Sequence, residues 1–225
     1  MRVYLGLVLI SFVSNLFGQG YNFTNFSVED GLAQSQVNDL AQDKFGNIWF
    51  ATQGGGLSQY NGQTFTNFTK REGLSSNLII SIAIDQKNNI WVSHEKGLSK
   101  YNGTSFTNYD IIGDDEKARI NHLQVSHDGK LFFASHLGGI GVIKQDSIIY
   151  FRSEDGFTDE RVSCITQGEP GILYISTYRE GVFSFDGSKF IRLPDTHDLI
   201  INSIYYHPPE QKLWLATREG LYFLQ

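Results

Sequence analysis

Cysteine, proline, methionine and basic residues are scarce in this chain, and each shortage narrows what it can be. The one cysteine, Cys164, excludes an intramolecular disulfide, so the fold rests on burial and hydrogen bonding whatever the redox compartment. The single methionine is the initiator, and only 4 prolines stand against 23 glycines and 14% aromatic residues. Glycine and aromatic richness in short apolar runs points to β structure, and no helical period competes. The 18 Lys+Arg residues are outnumbered by 24 Asp+Glu, a net charge of −6 that argues against a nucleic-acid backbone as partner. At 40% hydrophobic and 19% charged, 225 residues suffice for one globular core, and disorder is excluded as the main state.

Residues 1–20 read as a secretory signal: Arg2, an apolar run from Val3 to Val13, then a small, polar exit ending near Gly18–Gly20. That run falls short of the roughly 20 residues that span a bilayer, so cleavage is expected rather than anchoring. Export to the periplasm or beyond follows, with 17 basic against 24 acidic residues left and a net charge of −7. Asn22, Asn25, Asn67 and Asn102 lie in glycosylation sequons, which matter only in a host that glycosylates secreted proteins.

From residue 21 onward the chain repeats. The aromatics Trp49, Trp91, Phe132, Tyr174 and Trp214 are spaced 42, 41, 42 and 40 residues apart. Each is followed two places later by a small residue (Ala51, Ser93, Ala134, Ser176, Ala216) and then by Gly plus an aliphatic: Gly56-Leu57, Gly97-Leu98, Gly139-Ile140, Gly181-Val182 and Gly220-Leu221. Tyr60-Asn61-Gly62, Tyr101-Asn102-Gly103 and Phe185-Asp186-Gly187 add hairpin turns. Each unit therefore holds four short strands, the inner ones over 37–42, 79–84, 120–126, 162–167 and 200–206. Four-stranded units of about 41 residues repeated around an axis describe an all-β, five-unit β-propeller, with units near 21–68, 69–109, 110–151, 152–193 and 194–225. A large ring beside a small residue on one strand face is what neighbouring sheets need to interdigitate, so these aromatics are expected in the core between units.

Tyr21–Phe26 matches the outer strand Thr64–Phe68 yet precedes the first inner strand, while the last unit ends after its third strand. Two expectations follow. Either the N-terminal strand completes the fifth unit and closes the ring, which removes exposed edges, or the chain is the opening piece of a longer array.

The pattern Asp-x-x-Gly-Asn-Ile-Trp-x-Ala-Thr-x-x-Gly-Gly-Leu-x-x-Tyr, seen as Asp43–Tyr60 and less fully as Asp85–Tyr101, resembles the two-component regulator propeller repeat. Glu29-Asp30-Gly31-Leu32, Arg71-Glu72-Gly73-Leu74 and Ser153–Phe157 look like the linker before each such repeat. The resemblance is weaker in units three and four, where Phe132 and Tyr174 replace Trp and the leading Asp is missing. It implies a propeller of the kind that forms the extracytoplasmic sensor of bacterial histidine kinases and hybrid regulators, often answering to glycans. Kinase, membrane-spanning and DNA-binding segments are not seen in these residues, so a signalling role implies a kinase partner or further sequence.

Catalysis is not expected. Paired carboxylates at a propeller axis would suit a glycoside hydrolase or lyase, but the inner-strand positions equivalent to Asp39 are Ser81, His122, Cys164 and Ser203. Asp43, Asp85 and Asp128 stand at turns, where capping the turn is their ordinary role. No His or Cys pair has ligand spacing, so neither metal nor cofactor is expected. A Cys–His nucleophile at Cys164 is a weak alternative to a buried thiol. Gly54-Gly55-Gly56 reads as a hairpin turn rather than a phosphate loop. Binding remains. The loops of one face collect Gln53, His94, Lys96, His136, Tyr178, Arg179 and Arg218, with Arg71, Arg119 and Arg161 on the loops leading in. Basic groups on an acidic protein would suit an acidic glycan or peptide, although Glu95, Glu180 and Glu219 lie beside three of them. The expected function is a non-catalytic sensory propeller, with a protein–protein scaffold as the alternative.

Overall fold

The computed structural model describes residues 23–111, 119–136, 138–144, 147–152, 155–156 and 161–225; the expected signal, residues 1–20, lies outside them, as does most of the third linker at 153–157. The described residues form five antiparallel sheets and no α-helix. The first contains β1 (Val37–Gln42), β2 (Ile48–Thr52), β3 (Gly56–Tyr60) and β4 (Phe65–Phe68). The second contains β5 (Ile79–Ile84), β6 (Ile90–His94), β7 (Gly97–Tyr101) and β8 (Phe106–Asp110). The third contains β9 (Ile120–Val125), β10 (Leu131–Ser135), β11 (Ile140–Lys144) and β12 (Ser147–Phe151). The fourth contains β13 (Val162–Gln167), β14 (Leu173–Thr177), β15 (Val182–Phe185) and β16 (Phe190–Arg192). The fifth contains only β17 (Ile201–His207), β18 (Lys212–Thr217) and β19 (Leu221–Leu224). Strands pair in chain order within every sheet, and the inner strands pack in the succession β1, β5, β9, β13, β17. This is propeller architecture with four full sheets and a fifth of three strands.

The N-terminal strand expected to complete the fifth sheet does not do so among the described residues. Residues 23–26 belong to no sheet, and the Phe26 ring packs instead on Tyr60 and Phe65 of the first, at 4.9 and 5.7 Å.

Four apolar layers lie between the five sheets. Trp49, Ala51 and Leu57 of the first sheet meet Ile79, Ile82, Ile90 and Val92 of the second. Trp91 and Leu98 then meet Ile120, Leu123, Leu131 and Phe133. Phe132, Ala134, Ile140 and Val142 meet Val162, Ile165, Leu173 and Ile175, and Cys164 and Val182 meet Ile201, Ile204, Leu213 and Leu215. Four of the repeat aromatics thus sit between sheets as expected, Trp49, Trp91 and Phe132 buried and Tyr174 half-buried, whereas Trp214 lies on the outer face of the fifth sheet, half-buried against Phe223, because no described sheet follows it.

The Asp-x-x-Gly-Asn-Ile-Trp motif is a hydrogen-bond assembly. Asp43 Oδ1 accepts the N–H groups of Phe45 and Asn47, while Oδ2 accepts Asn47 Nδ2 at 2.8 Å and the Trp49 indole Nε1 at 2.9 Å. Asp85 repeats this on Lys87, Asn89 and Trp91, its Oδ2 receiving the indole at 3.0 Å. The carboxylate therefore closes the turn and supplies the acceptor a buried indole needs. Where the indole is missing, so is the acid. In the third unit Ser126 and Phe132 take the two places, and in the fourth Gly168 and Tyr174. A Cβ on Gly168 would fall 2.5 Å from the Tyr174 ring. The linkers are single turns of 3-10 helix, Val28–Asp30 and Lys70–Glu72, capped reciprocally by Ser27 with Asp30 and Thr69 with Glu72. Each ends on a left-handed glycine, Gly31 or Gly73, and sends the next residue, Leu32 or Leu74, into the interior.

Two outcomes follow. Asp85→Ser strands the Trp91 indole and costs about 1–3 kcal/mol. The double change Asp85→Ser with Trp91→Phe, which copies the third unit, costs less than the sum of the two singles by about 0.5–3 kcal/mol in a denaturant double-mutant cycle. Burial opposes the charge of Asp43 and Asp85, but their hydrogen bonds outweigh it and hold both below the ordinary carboxylate value. Their stabilisation is thus complete above that value, about 4, and is lost as pH falls through the lowered ones. Thermal unfolding between pH 7 and 3 should show a steeper acid loss in the parent than in Asp43→Asn with Asp85→Asn.

Candidate ligand-binding rim and axial ladder

One end of the first, third, fourth and fifth sheets is built by the same bond. The residue after the second strand donates its N–H to the carbonyl just before the inner strand: Gln53 to Gln36 at 3.0 Å, His136 to Arg119 at 2.8 Å, Tyr178 to Arg161 at 2.9 Å and Arg218 to Ile200 at 3.1 Å. Because the sheets pack side by side through their inner strands, these equivalent positions come to one rim. Gln53, His136, Tyr178 and Arg218 are all exposed there, as are Lys96 and Arg179 on the adjoining hairpins. Arg161 is half-buried and lies 5.2 Å from the Tyr178 ring centroid, a cation–π contact that props the phenol. Arg71 and Arg119 are exposed on the connecting segments.

Two of the three acids expected to offset this rim, Glu95 and Glu180, are directed elsewhere. Glu95, which holds the equivalent position in the second unit, accepts the Ser76 hydroxyl at 2.6 Å. Glu180 takes Arg192 Nη1 at 2.9 Å. Among the described residues no ion pair joins Lys96, Arg179 or Arg218 to an acid.

His94 departs from the expectation that places it on the rim. It is 1% exposed and occupies the position that Thr52, Ser135, Thr177 and Thr217 hold in the other units. Thr52 Oγ1 donates to Gly56 O at 2.7 Å, Thr177 Oγ1 to Gly181 O at 3.2 Å and Thr217 Oγ1 to Gly220 O at 2.9 Å, closing each hairpin. His94 closes its hairpin with the ring instead. Nδ1 accepts the Lys96 N–H at 3.2 Å, and Nε2 lies 2.9 Å from Ser99 Oγ, which donates onward to Asn108. Burial pushes its pKa down to about 4, so it is neutral at physiological pH and its nitrogens are committed.

The inner-strand positions Asp39, Ser81, His122 and Cys164 form a ladder that the sequence reading did not find. Each reaches the backbone of the next sheet. Asp39 Oδ2 accepts Ser81 Oγ at 2.8 Å and Ile82 N–H at 2.9 Å, and Ser81 Oγ accepts Leu123 N–H at 3.3 Å. His122 Nδ1 faces Ile165 N–H at 3.5 Å, and Cys164 Sγ donates to Ile204 O at 3.9 Å. Burial opposes charge on both His122 and Cys164, but their mutual hydrogen bond outweighs it, raising the imidazole and lowering the thiol, with Asp39 adding to the former. Cys164 is buried, so the thiol serves as a rung between sheets. Among the described residues no three His, Cys, Asp or Glu side chains gather as metal ligands would.

At the opposite end of the sheets, a cavity of about 370 Å³ lies between the third and fourth, lined by Phe132, Leu173, Phe185, Gln167 and Ser126. It opens where Phe and Ser stand in place of Trp and Asp. Its charges answer one another, Lys130 meeting Asp128 at 2.6 Å.

If His94 is a hairpin closer, His94→Thr, the residue of three other units, keeps the melting temperature near that of the parent. His94→Ala strands the Lys96 N–H, takes the ring away from Ser99 Oγ and costs about 1–3 kcal/mol in chemical denaturation.

Residues 31–54 and 73–96 match the family model of the two component regulator propeller. Among solved structures, the chain is similar to the extracellular domain of the hybrid two component system BT3049 from B. thetaiotaomicron, with 23% identity and a TM-score of 0.75 over 90% of this chain and 30% of that one. It is similar to the extracellular domain of the hybrid two component system BT4673 from the same organism, with 22% identity and a TM-score of 0.72 over 85% of this chain and 28% of that one. The chain thus spans under a third of the length of these neighbours. A virginiamycin B lyase from Staphylococcus aureus shares the fold at 14% identity and a TM-score of 0.69, over 82% of this chain and 64% of the lyase. No curated protein matches in sequence. Among the described residues, no helix is long and apolar enough to cross a membrane. The first two units, whose Asp43–Tyr60 and Asp85–Tyr101 motifs anchor buried indoles on turn carboxylates, are two-component regulator propeller repeats.

Proposed function

We propose that the chain is an exported, non-catalytic recognition module of a two-component sensory system, and that its rim binds an acidic glycan or peptide. The observation that carries this reading is the rim itself, where Lys96, Arg179 and Arg218 are exposed beside the exposed Tyr178 and, among the described residues, tied to no acid. Guanidinium groups grip carboxylate or sulfate bidentately, and the phenol, braced by Arg161, offers a face for a sugar ring. The family match to sensor propellers and the fold shared with extracellular sensor domains support the sensory part. A signalling kinase is the partner this reading requires. Asp39 supports a role in binding rather than catalysis: it is the lone carboxylate of the five equivalent inner-strand positions, and its Oδ2 holds the neighbouring sheet.

Titration calorimetry with uronate- or sulfate-bearing oligosaccharides and acidic peptides tests this. A ligand should bind more weakly as salt rises. Arg179→Ala with Arg218→Ala removes two charge-assisted contacts of about 1.5 kcal/mol each and should weaken binding about 100-fold with the melting temperature unchanged. Binding that survives the double change, or that is lost equally on His94→Thr, refutes the rim.

A further inference from the structure

Repetition supplies an internal control, since one position can be compared in five surroundings. The inner-strand aliphatic that faces the preceding sheet is Leu40, Ile82, Leu123, Ile165 and Ile204 in turn. The last four are at most 6% exposed, whereas Leu40 is 61% exposed. The third-strand aliphatic that faces the following sheet is Leu57, Leu98, Ile140, Val182 and Leu221. The first four are at most 1% exposed, whereas Leu221 is 67% exposed. Tyr205 and Phe223 are exposed on the same face as Leu221, around the half-buried Trp214. The first sheet therefore has an open apolar face of the kind that every other sheet uses toward its predecessor, and the fifth has one of the kind used toward a successor.

The strand edges tell the same story. β3, β7, β11 and β15 are each covered by a fourth strand, but among the described residues β19 is not. The segment Phe23–Phe26 reads Phe-Thr-Asn-Phe, the same four residues as β4, and lies in no sheet. Its position is that of an outer strand from a missing predecessor. The Phe26 ring meets Tyr60 at 4.9 Å and Phe65 at 5.7 Å. Phe68 at the end of β4 meets Tyr101 and Phe106 of the next sheet at 5.0 and 5.9 Å, and Phe151 at the end of β12 meets Phe185 and Phe190 at 5.0 and 5.8 Å.

We infer that the occupant of these surfaces is a second copy of the chain, joined head to tail. The open face of the fifth sheet in one copy seats on the first sheet of the other. The Phe23–Phe26 segment of that other copy runs beside β19 as its fourth strand. Both complements are carried by one sequence, and the contact continues the packing that already joins the five sheets. Within one copy, β1 packs on β5 while β17 packs on β13 and β14, at the two ends of the row. The added strand satisfies the bare edge of β19 by augmentation, and a head-to-tail contact of this kind makes a ring or an open string according to its rotation.

Sedimentation of the chain purified after export, from low to high micromolar concentration, tests this. The mass should rise with concentration to a dimer or a larger multiple. Leu40→Lys and Leu221→Lys change exposed residues, so each should fold with an unchanged melting temperature and sediment as a monomer. Mixed together they should form a heterodimer and nothing larger, because one intact face remains on each. A parent that stays monomeric throughout, or a mixture that does, overturns the inference. So does an intramolecular disulfide forming between Phe26→Cys and Phe223→Cys in a dilute monomer, which would show the segment closing its own ring. None of these outcomes depends on the rim or its ligand.

Discussion

The burial of one sheet's face against the next is the constraint on which the rest depends. No disulfide crosses the chain, and the described residues contain no α-helix to cover a sheet, so each sheet has only its neighbours to keep its apolar faces dry. An aliphatic residue such as Ile165 or Val182 is fully buried only because another sheet stands beside it. At roughly 25 cal/mol per Å² of apolar surface removed from water, such contacts stabilise the array as a sum of nearest-neighbour terms. The two outermost faces lack that term, which is why Leu40 and Leu221 are exposed while their equivalents are not.

Hydrogen bonds then decide how each sheet-to-sheet contact is tuned. A buried indole brings with it an N–H that must be satisfied, and in the first two units a turn carboxylate meets that need at the edge of the apolar layer. The third and fourth units drop both partners together, so neither an unpaired donor nor an uncompensated buried charge remains. On the axial side Asp39 and Ser81 bind the backbone of the next inner strand. That bonding fixes the register between sheets, which apolar contact alone leaves free to slide. His122 and Cys164 carry the same device from the third sheet to the fourth and from the fourth to the fifth, built from groups whose charges burial opposes and whose mutual bond restores.

The period of the aromatics and glycines made the sheets legible, because one residue in each second strand and one at each hairpin carry the packing and the turn. Asp43 and Asp85 were legible as turn residues, but their bond to an indole six residues on was not read, although the Asp-to-Trp spacing repeats in both units. The rim was legible as a set of loop positions. His94 lies off the rim because its position outweighs its side-chain type: aligned on Trp91 it falls where the other units carry Thr or Ser, a buried hairpin closer. The axial ladder was not legible, since each rung joins residues about 42 apart through backbone groups that no side-chain pattern marks. The place of Phe23–Phe26 was half legible. Its likeness to an outer strand is plain in the sequence, but which sheet it would join depends on curvature, which arises only when the sheets pack.

Rim and terminal faces are built on different parts of the same unit, and this separation lets them change independently. The rim is carried by residues just past the second strand, whose backbone bond to the segment before the inner strand is the same with Gln, His, Tyr or Arg in place. Side chains there can vary without touching the layers between sheets, so the array can present five unlike groups along one rim. The sheet faces cannot vary so freely, because each must match a neighbour at the density of a protein interior. A scaffold that separates the two in this way keeps its fold while its recognition surface drifts. A partner that extends the row of sheets therefore adds rim positions without altering those already present.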